Sequence, residues 1–171
     1  HVLLGRRCGG QAVGGADVVL SVSPSHVVRS VLRHVAGAVR PGALLVSATK
    51  GLDPDTLALM SQVAAEELPA MRFVALSGPS FAREVYERRP TAVVASSTAP
   101  AAAEEAQQVF ATSRFRVYSN TDVVGVELGG TLTTGETVTD WRRVWGRPAN
   151  LDVAVEADAT EFLDRFVERV G

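Results

Sequence analysis

Cysteine is nearly absent, since Cys8 stands alone in 171 residues. A single cysteine excludes an internal disulfide framework and a zinc site built from cysteines, and it suits a reducing compartment. An excess of either charge is missing too. The net charge of −2 gives no electrostatic footprint for nucleic acid, and no Lys/Arg cluster carries interleaved aromatics. No apolar run approaches the ~20 residues of a membrane span, and no signal-peptide layout precedes the first strand-like run. Asp122 and Glu127 read as capping and surface charges, with no second carboxylate nearby to suggest a metal pair. The expectation is a soluble, cytoplasmic protein with no nucleic-acid partner, no membrane span and no metal.

What is present is a core-forming composition, 46% hydrophobic and 21% charged, in a length that suits one buried domain and a tail. His1–Leu4 reads as a short strand running into Arg6 and Arg7. Cys8–Gly15 is Gly-rich, but its glycines pair at the wrong spacing for G-x-G-x-x-G, so a linker or shortened loop is the better reading. Ala16–Val22 is a continuous apolar run, the pattern of a strand buried on both faces. Ser25 is placed to N-cap a helix whose Val27, Val28, Val31, Leu32 and Val35 recur at helical spacing. Ala43–Ser47 is a second buried strand, and Asp53-Pro54 predicts a further helix with Leu57, Met60, Val63 and Ala64 inward. Phe73–Leu76, Thr91–Ala95 and Phe115–Tyr118 are strand-like, the last alternating as near a sheet edge. A short helix runs to about Glu87, Ala99–Ala111 is an Ala-rich helix, and Asn120–Asp122 caps the apolar stretch Val123–Gly130. This alternation predicts a doubly wound, mostly parallel α/β domain over residues 1–130. From Thr131 the rhythm stops, so 131–171 is an irregular or helical tail with an amphipathic helix at about 159–170.

Two strand exits carry the chemistry. Ala48-Thr49-Lys50-Gly51 and Leu76-Ser77-Gly78-Pro79-Ser80-Phe81-Ala82-Arg83-Glu84 each pass from an apolar run through small residues into a helical pattern. Ligands of open α/β sheets bind at such carboxyl ends. Small residues admit a ligand to the backbone, a helix start offers N–H groups to an anion, and a lysine adds a point charge. Each residue also has a plainer reading. Lys50 by default is a solvated charge, Ser80 a helix cap, Arg6 and Arg7 surface cations, and His26 a loop residue. Cys8 has no identifiable activating partner, and the two tryptophans of the tail cover apolar surface.

In order and spacing, six segments resemble the nucleotide-binding domain of bacterial NAD(P)-dependent glycerol-3-phosphate dehydrogenase. They are Ala16–Leu20 with Pro24-Ser25-His26, then Ala48–Leu52, Leu76–Glu84, Pro90–Val94, Phe115–Asp122 and Gly125–Gly130. The resemblance implies a Rossmann-like fold and a hydride transfer with NAD or NADP that interconverts dihydroxyacetone phosphate and sn-glycerol 3-phosphate, a glycerophospholipid precursor. It implies that Lys50 touches cofactor and substrate as the catalytic candidate, and that Gly78 and Ser80 line the substrate site. Ala82 and Pro24 contact the dinucleotide, and Arg6 and Arg7 lie where an NADP 2′-phosphate would sit.

The departures are as informative. The family's first strand and glycine loop precede the point where this sequence starts, so weak dinucleotide binding is expected. Exposed apolar edges would then favour self-association, in its simplest form a homodimer. After Gly130 the family continues with a small residue, an apolar residue, Lys and Asn. Thr133 and Thr134 stand at the last two positions here. A neutral hydroxyl does not replace a proton-transfer group tuned near neutrality. The expectation is a family domain with little turnover, the alternative being a non-catalytic binding or assembly module on the same fold.

Overall fold

In the computed structural model, residues 13–78, 80 and 85–134 are described, with side chains through Gly130. The sequence expectations for Arg6, Arg7, Cys8, Ala82 and the tail beyond Thr134 lie outside the described residues. Strands β1 (Val18–Ser21), β2 (Leu44–Ser47), β3 (Arg72–Ser77), β4 (Thr91–Ser96) and β5 (Phe115–Asn120) form one sheet in sequence order. β1, β2 and β3 are mutually parallel, β4 runs antiparallel to β3, and β5 is parallel to β4. Of the two apolar runs read as buried strands, β2 lies inside the sheet and is buried throughout, whereas β1 is an edge strand among the described residues, as is the alternating run β5.

Helices α1 (Ser25–Val35), α2 (Met60–Glu67) and α3 (Pro100–Phe110) connect β1 to β2, β2 to β3 and β4 to β5, and α4 (Val123–Thr134) follows β5 and packs back against β3 and β4. Strand residues alternate between two cores. Leu44, Val46, Val74 and Leu76 pack with Ala102, Ala106 and Phe110 of α3. Leu45 packs on the other face with Val28, Leu32 and Val35 of α1 and with Met60, Val63 and Ala64 of α2. Each such buried Val or Leu side chain contributes about 1.5–3 kcal/mol as an upper estimate. Val31, expected on the inner stripe of α1, is instead 37% exposed at its margin.

Two local expectations are overturned. Ser25 is the first residue of α1 rather than its cap; Pro24 holds the N-cap position, and no side-chain cap bond forms. Asp53-Pro54 does not open a helix. The Asp53 Oδ1 accepts from the Asp55 and Thr56 amides at 3.0 and 3.3 Å, an Asx turn that competes with helical hydrogen bonding. Leu57 then takes a φ of 57° and is 69% exposed, so it is not part of the inner face, and α2 starts at Met60. Asp122 does cap α4, its Oδ1 accepting from the Gly125 amide at 2.9 Å.

Candidate functional site

Because β1, β2 and β3 are parallel, their carboxyl ends deliver three loops to one edge of the sheet: Ser23–Pro24, Ala48–Gly51, and Gly78 with Ser80. The loops are tied together by side chains. The Thr49 hydroxyl donates to the Ser23 carbonyl at 2.9 Å, and the Lys50 ammonium donates to the Gly78 carbonyl at 2.9 Å. The same carbonyl accepts from the Ser80 amide at 2.7 Å and from the Ser80 hydroxyl at 3.4 Å. Lys50 from one strand exit and Ser80 from the other therefore converge on the carbonyl oxygen of Gly78.

Glycine is required at two of these positions. A Cβ on Gly78 would meet the Ala92 carbonyl oxygen at 2.9 Å and the Val93 Cα at 3.0 Å, so any side chain would push β4 away. Gly51 has a φ of 110°, a conformation that L side chains rarely adopt. Pro24 is exposed at the N-cap of α1, and His26, the second residue of the helix, is exposed beside it. The first turn of α1 contains no acidic residue and no side-chain cap, so its N-terminal dipole faces the Ser23–Pro24 loop uncompensated.

Behind the lysine segment lies a charged cluster that sequence reasoning did not find. Asp53, only 3% exposed, accepts from Arg29 Nε at 2.6 Å. Arg29 Nη1 also donates to Glu66 at 2.5 Å and Glu67 at 3.1 Å, and Arg33 donates to Glu67 at 2.6 Å. The Arg29 hydrogen bond holds the Asp53 carboxyl below its usual range against burial, and the Arg33 hydrogen bond does the same for Glu67. The guanidinium of Arg29 is correspondingly raised, first by Glu66 and then by Asp53.

Glu127 on α4 is half-buried rather than a plain surface charge. Its carboxylate accepts from the Ser61 amide at 2.9 Å and the Ser61 hydroxyl at 2.5 Å, capping α2 from a distant part of the chain. Burial pushes its carboxyl up, opposed by the Ser61 hydrogen bonds. One signal in the sequence could have raised the standing of Lys50 without any structure. It is the only lysine among 17 cationic side chains, in a chain that otherwise uses arginine. A compact ammonium is kept only where these loops meet. Among the described residues no helix is long and apolar enough to cross a membrane.

A parallel sheet core with a lysine and glycine-bearing strand exits at one edge defines a Rossmann-like α/β domain of the kind found in dehydrogenases. A family model described as NAD-dependent glycerol-3-phosphate dehydrogenase N-terminus matches residues 10–103, and the chain belongs to that family. It is 55% identical over 125 residues to a glycerol-3-phosphate dehydrogenase (NAD(P)+) of Geobacter sulfurreducens, covering 71% of this chain and 37% of that protein. It is 44% identical over 125 residues to the Bacillus subtilis enzyme of the same name, covering 71% and 36%. Among solved structures, glycerol-3-phosphate dehydrogenase from Coxiella burnetii matches with a TM-score of 0.67 at 32% identity, over 72% of this chain and 38% of that one. A pyrroline-5-carboxylate reductase from the same organism shares the fold at a TM-score of 0.55 and 15% identity, over 81% and 47%. The matched part of this chain thus corresponds to little more than a third of the length of these dehydrogenase relatives.

Proposed function

We propose that the chain carries part of a glycerol-3-phosphate dehydrogenase site, holding the phosphate-bearing three-carbon substrate beside a nicotinamide dinucleotide. The observation that carries this reading is the convergence of Lys50 and Ser80 on the Gly78 carbonyl at the carboxyl edge of the sheet. The donor set suits an anionic ligand. One fixed ammonium, a serine hydroxyl and the uncapped start of α1 present positive charge and N–H groups within one set of loops. NAD or NADP fits those donors, with Pro24 and the start of α1 on the dinucleotide side and Lys50 reaching both ligands. When bound, the nicotinamide would supply the hydride chemistry.

The chain's own residues orient and polarise. Lys50 offers a preorganised positive charge to the oxygen on which negative charge develops, at little reorganisation because Gly78 already fixes its direction. Ser80 and Gly78 shape the wall against the substrate, and Ala82 completes the dinucleotide side in the reading from resemblance. A protonated lysine is a donor only. The proton that must reach the product alkoxide needs a group tuned near neutrality, and Thr133 occupies the family's lysine position in the sequence. That residue favours low turnover, and it supports the second reading, a binding or assembly module on the same fold.

Following NADH and NADPH oxidation with dihydroxyacetone phosphate separates the two. Turnover abolished by Lys50→Ala establishes the catalytic reading and removes the low-turnover one. Zero turnover in wild type, restored by Thr133→Lys, assigns the loss to that position. Zero turnover in both proteins, with no effect of glycerol 3-phosphate on thermal stability, defeats the substrate-site reading.

A further inference from the structure

We propose that Thr49, Asp53 and Arg29 act together as a positioning device for Lys50, stapling the Lys50–Gly51 peptide at one end to the loop that enters α1 and at the other to α1 itself. Upstream, Thr49 Oγ1 donates to the carbonyl of Ser23, two residues before α1 begins. Downstream, Asp53 Oδ2 accepts from Nε of Arg29, which lies in the second turn of that same helix. Between the anchors sits Gly51 with its φ of 110°, the residue that would otherwise let the lysine swing. The second anchor is itself built to be rigid. Asp53 closes its own loop through its backbone, accepting from the Leu57 amide at 2.8 Å and donating to the Ala58 carbonyl at 2.9 Å. Its other carboxylate oxygen holds the Asp55 and Thr56 amides, and Arg29 is braced in turn by Glu66 and Glu67 of α2.

A lysine side chain has a flexible four-carbon stem, so a fixed ammonium needs a fixed root. Here the root is defined on one side by the loop that enters α1 and on the other by α1 itself, and the tip is defined by the Gly78 carbonyl. Any displacement of α1 relative to β2 therefore carries Lys50 with it. The inference concerns the same lysine as the functional reading above, but the staple can be tested without a ligand.

Lys50 is the only lysine in the sequence, so a chain labelled with 13C at lysine Cε reports this ammonium as a single side-chain NMR signal. In the folded wild-type chain the signal should stand apart from its position in urea. Asp53→Asn keeps the turn acceptor but discharges the partner of Arg29. Thr49→Val keeps the shape and removes the donor. Both should return the Lys50 signal to the unfolded position while far-UV circular dichroism is retained, and Thr49→Ser should keep the wild-type signal. A wild-type signal at the unfolded position, or one unchanged in both folded variants, overturns the proposal. If Asp53→Asn does not fold, the Thr49→Val and Thr49→Ser pair decides. Unfolding of both Asp53→Asn and Thr49→Val makes the anchors structural and overturns it as well. Adding inorganic phosphate and then glycerol 3-phosphate to wild type tests the functional reading separately. A signal that neither ligand moves defeats the anion site and leaves the staple standing.

Discussion

The two faces of the sheet use the same strands for different ends. Toward α3 the strands present Leu20, Leu44, Val46, Val74, Leu76, Val93, Ala95 and Val117, with Arg72 at the amino end of β3 paired to Glu105 of α3. Toward α1, α2 and α4 the same strands begin apolar, with Val19, Leu45 and Phe73, and finish in Ser21, Ser47, Ala75 and Ser77. Ser96 joins that row from β4, since it pairs with Ala75, which pairs with Ser47, which pairs with Ser21. The hydroxyls of Ser21, Ser47, Ser77 and Ser96 are buried with no hydrogen-bond partner among the described residues. One face keeps its apolar core as far as the carboxyl ends of β1–β3, and the other gives up packing volume toward the edge where the site forms. Small side chains there let α4 approach: a Cβ on Gly130 would collide with the Ser77 hydroxyl.

The largest expected effect lies on the apolar face. Leu44 is fully buried among α3 and its neighbouring strands, and Leu44→Ala should lower unfolding free energy by about 2–5 kcal/mol. Urea titration measures it. A loss under about 1 kcal/mol, the scale of a volume-conserving swap, would mean that this face is not the tighter of the two.

The second effect belongs to the charged flank of the other face and appears on acidification. Asp53 and Glu67 have carboxyl values lowered from the ordinary 3.8 and 4.5 by Arg29 and Arg33. Their native-state preference for the charged form stabilises the fold above those ordinary values. It is lost as pH falls through the lower folded-state values. Glu127 has the opposite sign, raised by burial, so its ionisation weakens the fold as pH rises from 4.5 through its folded value. Melting temperature should therefore fall toward pH 3, and Asp53→Asn should flatten that fall. An unchanged acid limb in Asp53→Asn would show that the Arg29 pair carries no pH-dependent stability.

How much of this could be read from the sequence depends on distance along the chain. Strands such as Ala43–Ser47 are visible because burial on both faces writes a continuous apolar run. The Lys50 and Gly78 loops are visible because their small residues are local, and the resemblance adds their roles. Arg29 and Asp53 are 24 residues apart, and no local pattern links them. Asp53 followed by proline looks like the start of a helix. Its carboxylate is committed to an Asx turn and to a partner on another helix, so local chemistry pointed the wrong way. Glu127 is a similar case, since the N–H groups it caps lie 66 residues earlier on α2.

The smallest effect is the sharpest test of the contrast between faces, because its sign differs from that of Leu44→Ala. Ser47 is 6% exposed, on the face that packs against α1 and α2, and its hydroxyl finds no protein partner among the described residues. A buried hydroxyl left unpaired costs on the order of 1–3 kcal/mol. Removing it leaves a gap of a single oxygen atom and relieves that penalty. Ser47→Ala should therefore raise stability by about 1 kcal/mol, measurable as a higher urea midpoint at an unchanged m-value. Ser21→Ala, the neighbour in register on β1, should do the same. If both substitutions lower stability instead, the hydroxyls are satisfied by bound water, and the serine row is an internal hydration site beneath the Lys50 loop. A gain in Ser47→Ala beside a loss in Leu44→Ala would establish that the sheet trades packing for polarity on the site face alone.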